Sequence, residues 1–293
     1  MRHLLLTFVL VGIAGCGVVT ERFSKKAMKP DSTRLEAVLA AQSDETKARY
    51  DARNPGKTLE FFGIAPGMTV VEGLPGGGWY SRILIDYVGP DGALIGADYA
   101  FSMWPKFGFF DEAAIKAKET WATDWPQQAQ EWRSEQSAPI TGFAFGAMPK
   151  SMHNTADAAI YVRAMHNLAR FENDGGYLTQ ALRDTFNVLK PGGIVGIVQH
   201  EARDTMSDEF AQGGRGYLKK SFVIETMRSA GFEYVGSRDF NANSKDRPGE
   251  DDIVWRLPPS LSTSRDNPAL RDELLAIGES NRMTLKFRKP RNP

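Results

Sequence analysis

Residues Val70 to Leu84 read VVEGLPGGGWYSRIL. A short apolar run ends at an acid, Glu72; a glycine-rich turn follows, and a helix starts near Trp79. The same unit recurs outward along the chain. Four short apolar runs, Thr69 to Val71, Ala93 to Ala97, Ala158 to Val162 and Ile194 to Val198, are separated by segments of helical length. Each is nearly continuous rather than alternating, as a strand covered on both faces requires. Pro66-Gly67, Gly89-Pro90-Asp91-Gly92 and Pro191-Gly192-Gly193 stand before three of them as turn signals. Between them Ile83, Leu84, Tyr87 and Val88, then Leu178, Leu182, Phe186 and Leu189, fall at helical spacing. Alternating strands and helices predict an α/β fold, a doubly wound, mostly parallel sheet with helices on both faces. Residues Asp111 to Gln136, carrying Trp121, Trp125 and Trp132, read as helical, their tryptophans as packing. Phe222 to Ala230 reads as a helix, and Gly231 to Phe240 and Thr284 to Arg288 as closing strands. Residues 241–282 between those strands read as an insertion or lid, with a helix near Leu270 to Ile277.

Glycines in the turn permit positive φ and close approach of a ligand to the backbone, and N–H groups at the helix start favour a carboxylate or phosphate. A dinucleotide fingerprint needs a third glycine where Ser81 stands, which disfavours NAD. The run instead resembles motif I of the class I S-adenosylmethionine-dependent methyltransferases, in which an acid precedes spaced glycines. Glu72, Gly76 and Gly78 match that motif. Asp98 matches the acid that holds the ribose hydroxyls, and Leu189-Lys190-Pro191-Gly192-Gly193 matches the turn before the fifth strand. Pro75 to Tyr80, Arg163 with His166-Asn167, and His200 look more narrowly like a group of predicted bacterial methyltransferases that often carry export signals. The resemblance implies S-adenosylmethionine as cofactor, held by Glu72, Pro75, Gly76, Gly78, Trp79, Tyr80 and Asp98, and a small-molecule methyl acceptor. Leu74 departs from the pattern, standing where the first motif glycine usually lies, where a side chain would crowd the cofactor.

Methyl transfer from a sulfonium is an in-line displacement, so the enzyme positions the acceptor and, for a hydroxyl or amine, removes one proton. His166 and His200 follow the third and fourth apolar runs and so fall at the carboxyl edge of the sheet, where ligands bind in open α/β folds. His166 is the candidate base. Arg163 is a natural anchor for an acidic substrate group or for the cofactor carboxylate, and Asn167 can supply a hydrogen bond. A plainer reading makes His166 and Asn167 caps of the following helix and His200 a satisfied core ring. An exported binding protein or non-methylating enzyme that keeps the fold stays open as the alternative function.

Composition narrows the classes. The chain has 293 residues, 42% hydrophobic, enough for one large α/β domain, here residues 34–293. Its 36 basic and 36 acidic residues cancel, so no overall basic field exists to hold nucleic acid. Metal binding is unsupported: His200-Glu201 lacks the second histidine of a zinc-protease helix, and one cysteine builds no cluster. That cysteine, Cys16, closes a basic start (Met1, Arg2, His3) and an apolar run, Leu4 to Ile13, too short to span a bilayer. Ile13-Ala14-Gly15-Cys16 resembles a bacterial lipobox. The reading is a lipoprotein signal over residues 1–15, lipid on Cys16 as the sole membrane contact, and a tether over 16–33. Localisation is then the periplasm, on the outer membrane because Gly17 rather than Asp follows the cysteine.

Overall fold

The computed structural model describes residues 28–292; the segment read as signal and lipid anchor, Cys16 included, lies outside them. The first helix, Ser32–Ala41, begins two residues inside the stretch read as tether, capped by Asp31, which accepts from the Arg34 N–H at 2.9 Å. Leu35 is the reason: it is buried in the same cluster as Leu59, Ile83 and Tyr87, so the helix packs onto the sheet-covering layer.

Among the described residues eight strands form the sheet: β1 (Thr69–Gly73), β2 (Ala93–Asp98), β3 (Ile140–Ala144), β4 (Ala156–Val162), β5 (Leu189–Ala202), β6 (Leu218–Lys219), β7 (Glu233–Arg238) and β8 (Arg282–Arg288). Their order is β3-β2-β1-β4-β5-β8-β7, with β6 beside the end of β5. The pairs from β3 to β5 are parallel, and β8 is antiparallel to both β5 and β7. The class is the expected one. Successive residues serve opposite faces: Val70 and Leu94 join Phe62, Ile83 and Leu84 on one side, while Val71 and Ile95 join Leu178, Leu182 and Phe232 on the other.

Three expectations need correction. The span Asp111 to Gln136 is not one helix but Glu112–Lys116, Trp121–Gln128 and a 3-10 turn, Ala129–Trp132. Its tryptophans nonetheless pack: Trp121 stacks on Trp125, and Trp125 lies so close over Gly96 of β2 that a Cβ there would meet the ring at 2.5 Å. Strand β3 was not anticipated, because Thr141 is exposed and Gly142 interrupts the run, as befits an edge strand. The turn Lys190 to Gly193 is a bulge inside β5, where the register with β4 jumps from Ala156↔Leu189 to Ala158↔Ile194.

Candidate active site

The strand order reverses at β1, flanked by β2 and β4, and the carboxyl ends of β1, β4 and β5 open there on a cavity of about 810 Å³. One wall is the turn after β1. Its backbone is left-handed at Leu74 (φ 58°), Gly76 (φ 55°) and Gly78 (φ 75°). Leu74 therefore adopts the conformation a glycine would take, at a cost of about 1–2 kcal/mol, and its N–H is held by the Ala97 carbonyl at 2.7 Å. Its side chain packs on the core while lining the cavity, so the departure narrows the turn without closing it. Gly76 and Gly77 line an open cradle in which a Cβ meets nothing within 4 Å.

Gly78 stands outside that wall. A Cβ on it would lie 2.3 Å from the Trp132 ring, so the packing of Trp132, together with the positive φ, is what excludes a side chain there. Asp98 is buried at the end of β2 and likewise does not line the cavity; burial pushes its carboxyl up to about 6. Pro75, Trp79 and Tyr80 do line it. Glu72 is buried beneath the turn, accepting from Ser81 Oγ at 2.6 Å, and burial lifts its carboxyl to about 8. At neutral pH it is therefore uncharged.

This state has a measurable consequence. The ordinary value, 4.5, applies to the unfolded chain, so between pH 4.5 and 8 unfolding releases a proton that the folded protein keeps. Stability attributable to Glu72 is full below that window and lost as pH rises through it. Glu72→Gln removes the titration, and is expected to raise stability by roughly 4 kcal/mol at pH 8 and by nothing at pH 4. Thermal melts of both proteins across pH 4 to 8 check it; a difference independent of pH would contradict the assignment.

The opposite wall carries the histidines. Neither His166 nor Asn167 caps the helix Met165–Arg170, whose start has no side-chain cap. The Asn167 amide donates to Tyr99 Oη at 2.7 Å. His166 Nδ1 lies 3.4 Å from Gln199 Oε1, while Gln199 Nε2 donates to the Gly216 carbonyl at 3.0 Å. Gln199 Nε2 lies at the same 3.4 Å from Nδ1, so the amide holds the ring whichever ring nitrogen carries the proton. Burial pushes the His166 imidazole down to about 4, against the Gln199 hydrogen bond. His200 Nδ1 pairs with Ser280 Oγ at 2.6 Å; burial, then His166 and the neighbouring arginines, hold it well below its usual range. The rings stand 5.5 Å apart, both neutral, and Trp255 packs edge-on to His166 at 5.9 Å.

Arg163 shares this edge, with a left-handed backbone (φ 57°) pinned by its N–H to the Val198 carbonyl at 2.6 Å. Beside it lies a group the sequence did not suggest. Glu279 pairs with Arg49 Nη2, with Arg53 Nε at 3.2 Å, with Arg282 Nη1 at 3.1 Å and with Arg163 Nη1 at 4.0 Å. Burial would raise its carboxyl, but the four guanidiniums outweigh it and hold the group below the ordinary value. Arg49 and Arg53 stand four residues apart before β1, a spacing that could have flagged them; Tyr99, Trp255, Glu279 and Ser280 carried no local signal. Trp255, Pro258 to Ser260, Glu279 and Ser280 all come from residues 241–282, which thus supply much of one cavity wall. Among the described residues no group of three His, Cys, Asp or Glu is placed to hold a metal ion.

No family model and no curated protein matches the chain in sequence. Among solved structures, the [4+2]-cyclase SpnF aligns with a TM-score of 0.52 at 17% identity over 82% of this chain and 81% of its own. A SAM-dependent methyltransferase from Aquifex aeolicus aligns at 0.44, 16% identity, over 72% and 93%. A putative sarcosine dimethylglycine methyltransferase from Galdieria sulphuraria aligns at 0.46, 16% identity, over 88% and 90%. At such identities the likeness is one of fold, and it agrees with the mostly parallel sheet described above.

Proposed function

We propose that the chain is an S-adenosylmethionine-dependent methyltransferase acting on a small molecule. The observation that carries this reading is the open glycine cradle of Gly76 and Gly77 on the same cavity as His166, Asn167 and His200. Open space in front of both glycines leaves room for a ligand to approach the backbone closely, and Trp79, whose indole Nε1 has no hydrogen-bond partner among the described residues, lines the same cavity. Leu74 to Gly77, Trp79 and Tyr80 would hold the cofactor, which when bound supplies a methyl group on a sulfonium. The remaining work falls to the chain. Tyr99 orients Asn167 toward the acceptor, Gln199 holds the neutral His166 ring in place to accept a proton, and Trp255 with Pro258 and Pro259 limits water.

A second reading, that the fold serves other chemistry, draws support from Asp98, which stands away from the cavity wall where a ribose contact would be needed. Thermal-shift titration of the full chain with S-adenosylmethionine and S-adenosylhomocysteine separates the two. Ligand at about 100 times its Kd should stabilise the protein by about 2.7 kcal/mol. Gly77→Val, which meets no neighbour at Cβ, should abolish that shift without lowering the melting temperature of the free protein. Absence of any shift in the wild type would favour the second reading.

A further inference from the structure

We infer that Arg163, Arg49 and Arg53 form the subsite that takes an anionic group of the methyl acceptor, a carboxylate or a phosphate. That the occupant is the acceptor rests on the methyltransferase reading; that it is an anion does not.

Charge is the first ground. Arg49, Arg53 and Arg163 line the cavity and Arg282 stands behind them, with Glu279 as their shared counter-charge. The other acids of the wall do not offset the excess, since Glu72 is protonated at neutral pH and Glu45 is exposed at the rim. Such a concentration of guanidiniums disfavours a cationic or neutral apolar occupant and favours an oxyanion, which guanidinium binds in a bidentate manner.

Unmet donors are the second ground. Arg163 Nε is buried and has no hydrogen-bond partner among the described residues, and the Arg163 contact to Glu279 at 4.0 Å is longer than those of Arg53 and Arg282, at 3.2 and 3.1 Å. Arg163 is the least engaged of the set. Its side chain, 26% exposed, lines the cavity, so the guanidinium can be reached by an acceptor from the ligand. Its left-handed backbone is a further cost that packing alone does not require.

Position separates the acceptor from the cofactor. Arg163 ends β4 and is pinned to β5, whereas the glycine cradle ends β1 and Asp98 ends β2 on the far side. An acid group seated at Arg163 places the rest of its molecule beside His166, three residues on, and His200 of the neighbouring strand. The nucleophile of an acidic acceptor thus arrives at the base.

Calorimetric titration of the full chain with inorganic phosphate, at ionic strength held constant with sodium chloride, tests this, with S-adenosylhomocysteine titrated in parallel. Phosphate should bind the wild type, tetramethylammonium should not, and Arg163→Gln and Arg49→Gln should each weaken phosphate by tenfold or more. Arg163→Lys should recover part of the loss. The Kd for S-adenosylhomocysteine should stay within about twofold throughout. Should Arg163→Gln fail to fold, Arg49→Gln, on a side chain one quarter exposed, carries the comparison alone. Equal phosphate binding in wild type and variants overturns the subsite. Loss of S-adenosylhomocysteine affinity in step with phosphate assigns the arginines to the cofactor carboxylate and overturns the acceptor. Phosphate binding with no response to S-adenosylhomocysteine sinks the methyltransferase reading and removes the acceptor with it, whereas the converse pattern spares that reading and sinks the subsite.

Discussion

Glu279→Ala is expected to lower the melting temperature by about 6–20 °C, a loss of about 3–5 kcal/mol. The size follows from what remains behind. Arg53 and Arg282 have side chains only 6% and 2% exposed, and both take their ion pair from this one carboxylate. Removing it leaves guanidiniums desolvated and mutually repulsive, and their mutual lowering is already felt by Arg53, pushed down to about 10 by burial first and by Arg163 next. Arg49→Ala, on a partly exposed side chain, should cost far less, because water can still solvate what remains. Calorimetric melts at pH 7 check both. A loss below about 1 kcal/mol for Glu279→Ala would mean that the arginines do not depend on it.

The pH dependence of this group runs opposite to that of Glu72. Glu279 is held below its ordinary value, so its stabilisation is present above pH 4.5 and lost as pH falls below it. The buried imidazoles add to acid sensitivity, since their folded values lie below the unfolded 6.5 and protonation favours the unfolded chain. Glu72, with its folded value near 8, erodes stability on the other side. The cavity is thus most secure in weakly acid to neutral solution, where Glu279 is charged and both histidines are neutral.

What local sequence could reveal was set by which interactions are local. Strand β1 and the helix Trp79–Val88 were legible because apolar runs, a proline-glycine turn and helical spacing are all contained within a few residues. His166, Asn167 and His200 were legible as edge residues because strand ends fix where they stand. Their partners were not: Gln199, 33 residues from His166, holds its ring, and Ser280, 80 residues from His200, pairs with it. Glu279 lies 230 residues from Arg49 and 226 from Arg53, so nothing in its neighbourhood marks it as the hub of a charged cluster. Asp98 and Gly78 show what position in a motif leaves open. Neither lines the cavity: a Cβ on Gly78 would meet Trp132 and Asp98 is buried at the end of β2, relations that spacing cannot encode.

The second large effect concerns turnover. If His166 takes the acceptor proton, His166→Ala should reduce methyl transfer by about 10²-fold to 10⁴-fold while cofactor affinity changes little. His200→Ala should act more mildly, through acceptor placement, because His200 stands on β5, one strand further from the glycine turn of β1 than the β4 end that carries His166. With the His166 imidazole held down to about 4, the group is already neutral at physiological pH, and wild-type turnover should stay flat from pH 6 to 9 and fall only as pH drops toward 4. A base so weak in solution terms accepts a proton only as the transition state develops charge, and an anionic acceptor beside it would help the resulting imidazolium against Arg163 and Arg170. Methyl-labelled cofactor incubated with cell-envelope extract would supply the acceptor by isolation of the labelled product. Gln199→Leu then gives the discriminating control: the ring is kept but loses the amide that holds it, so turnover should fall by part of the His166→Ala loss. Equal turnover in wild type and His166→Ala across pH 6 to 9 would remove His166 from the proton transfer and leave it a core ring held by Gln199.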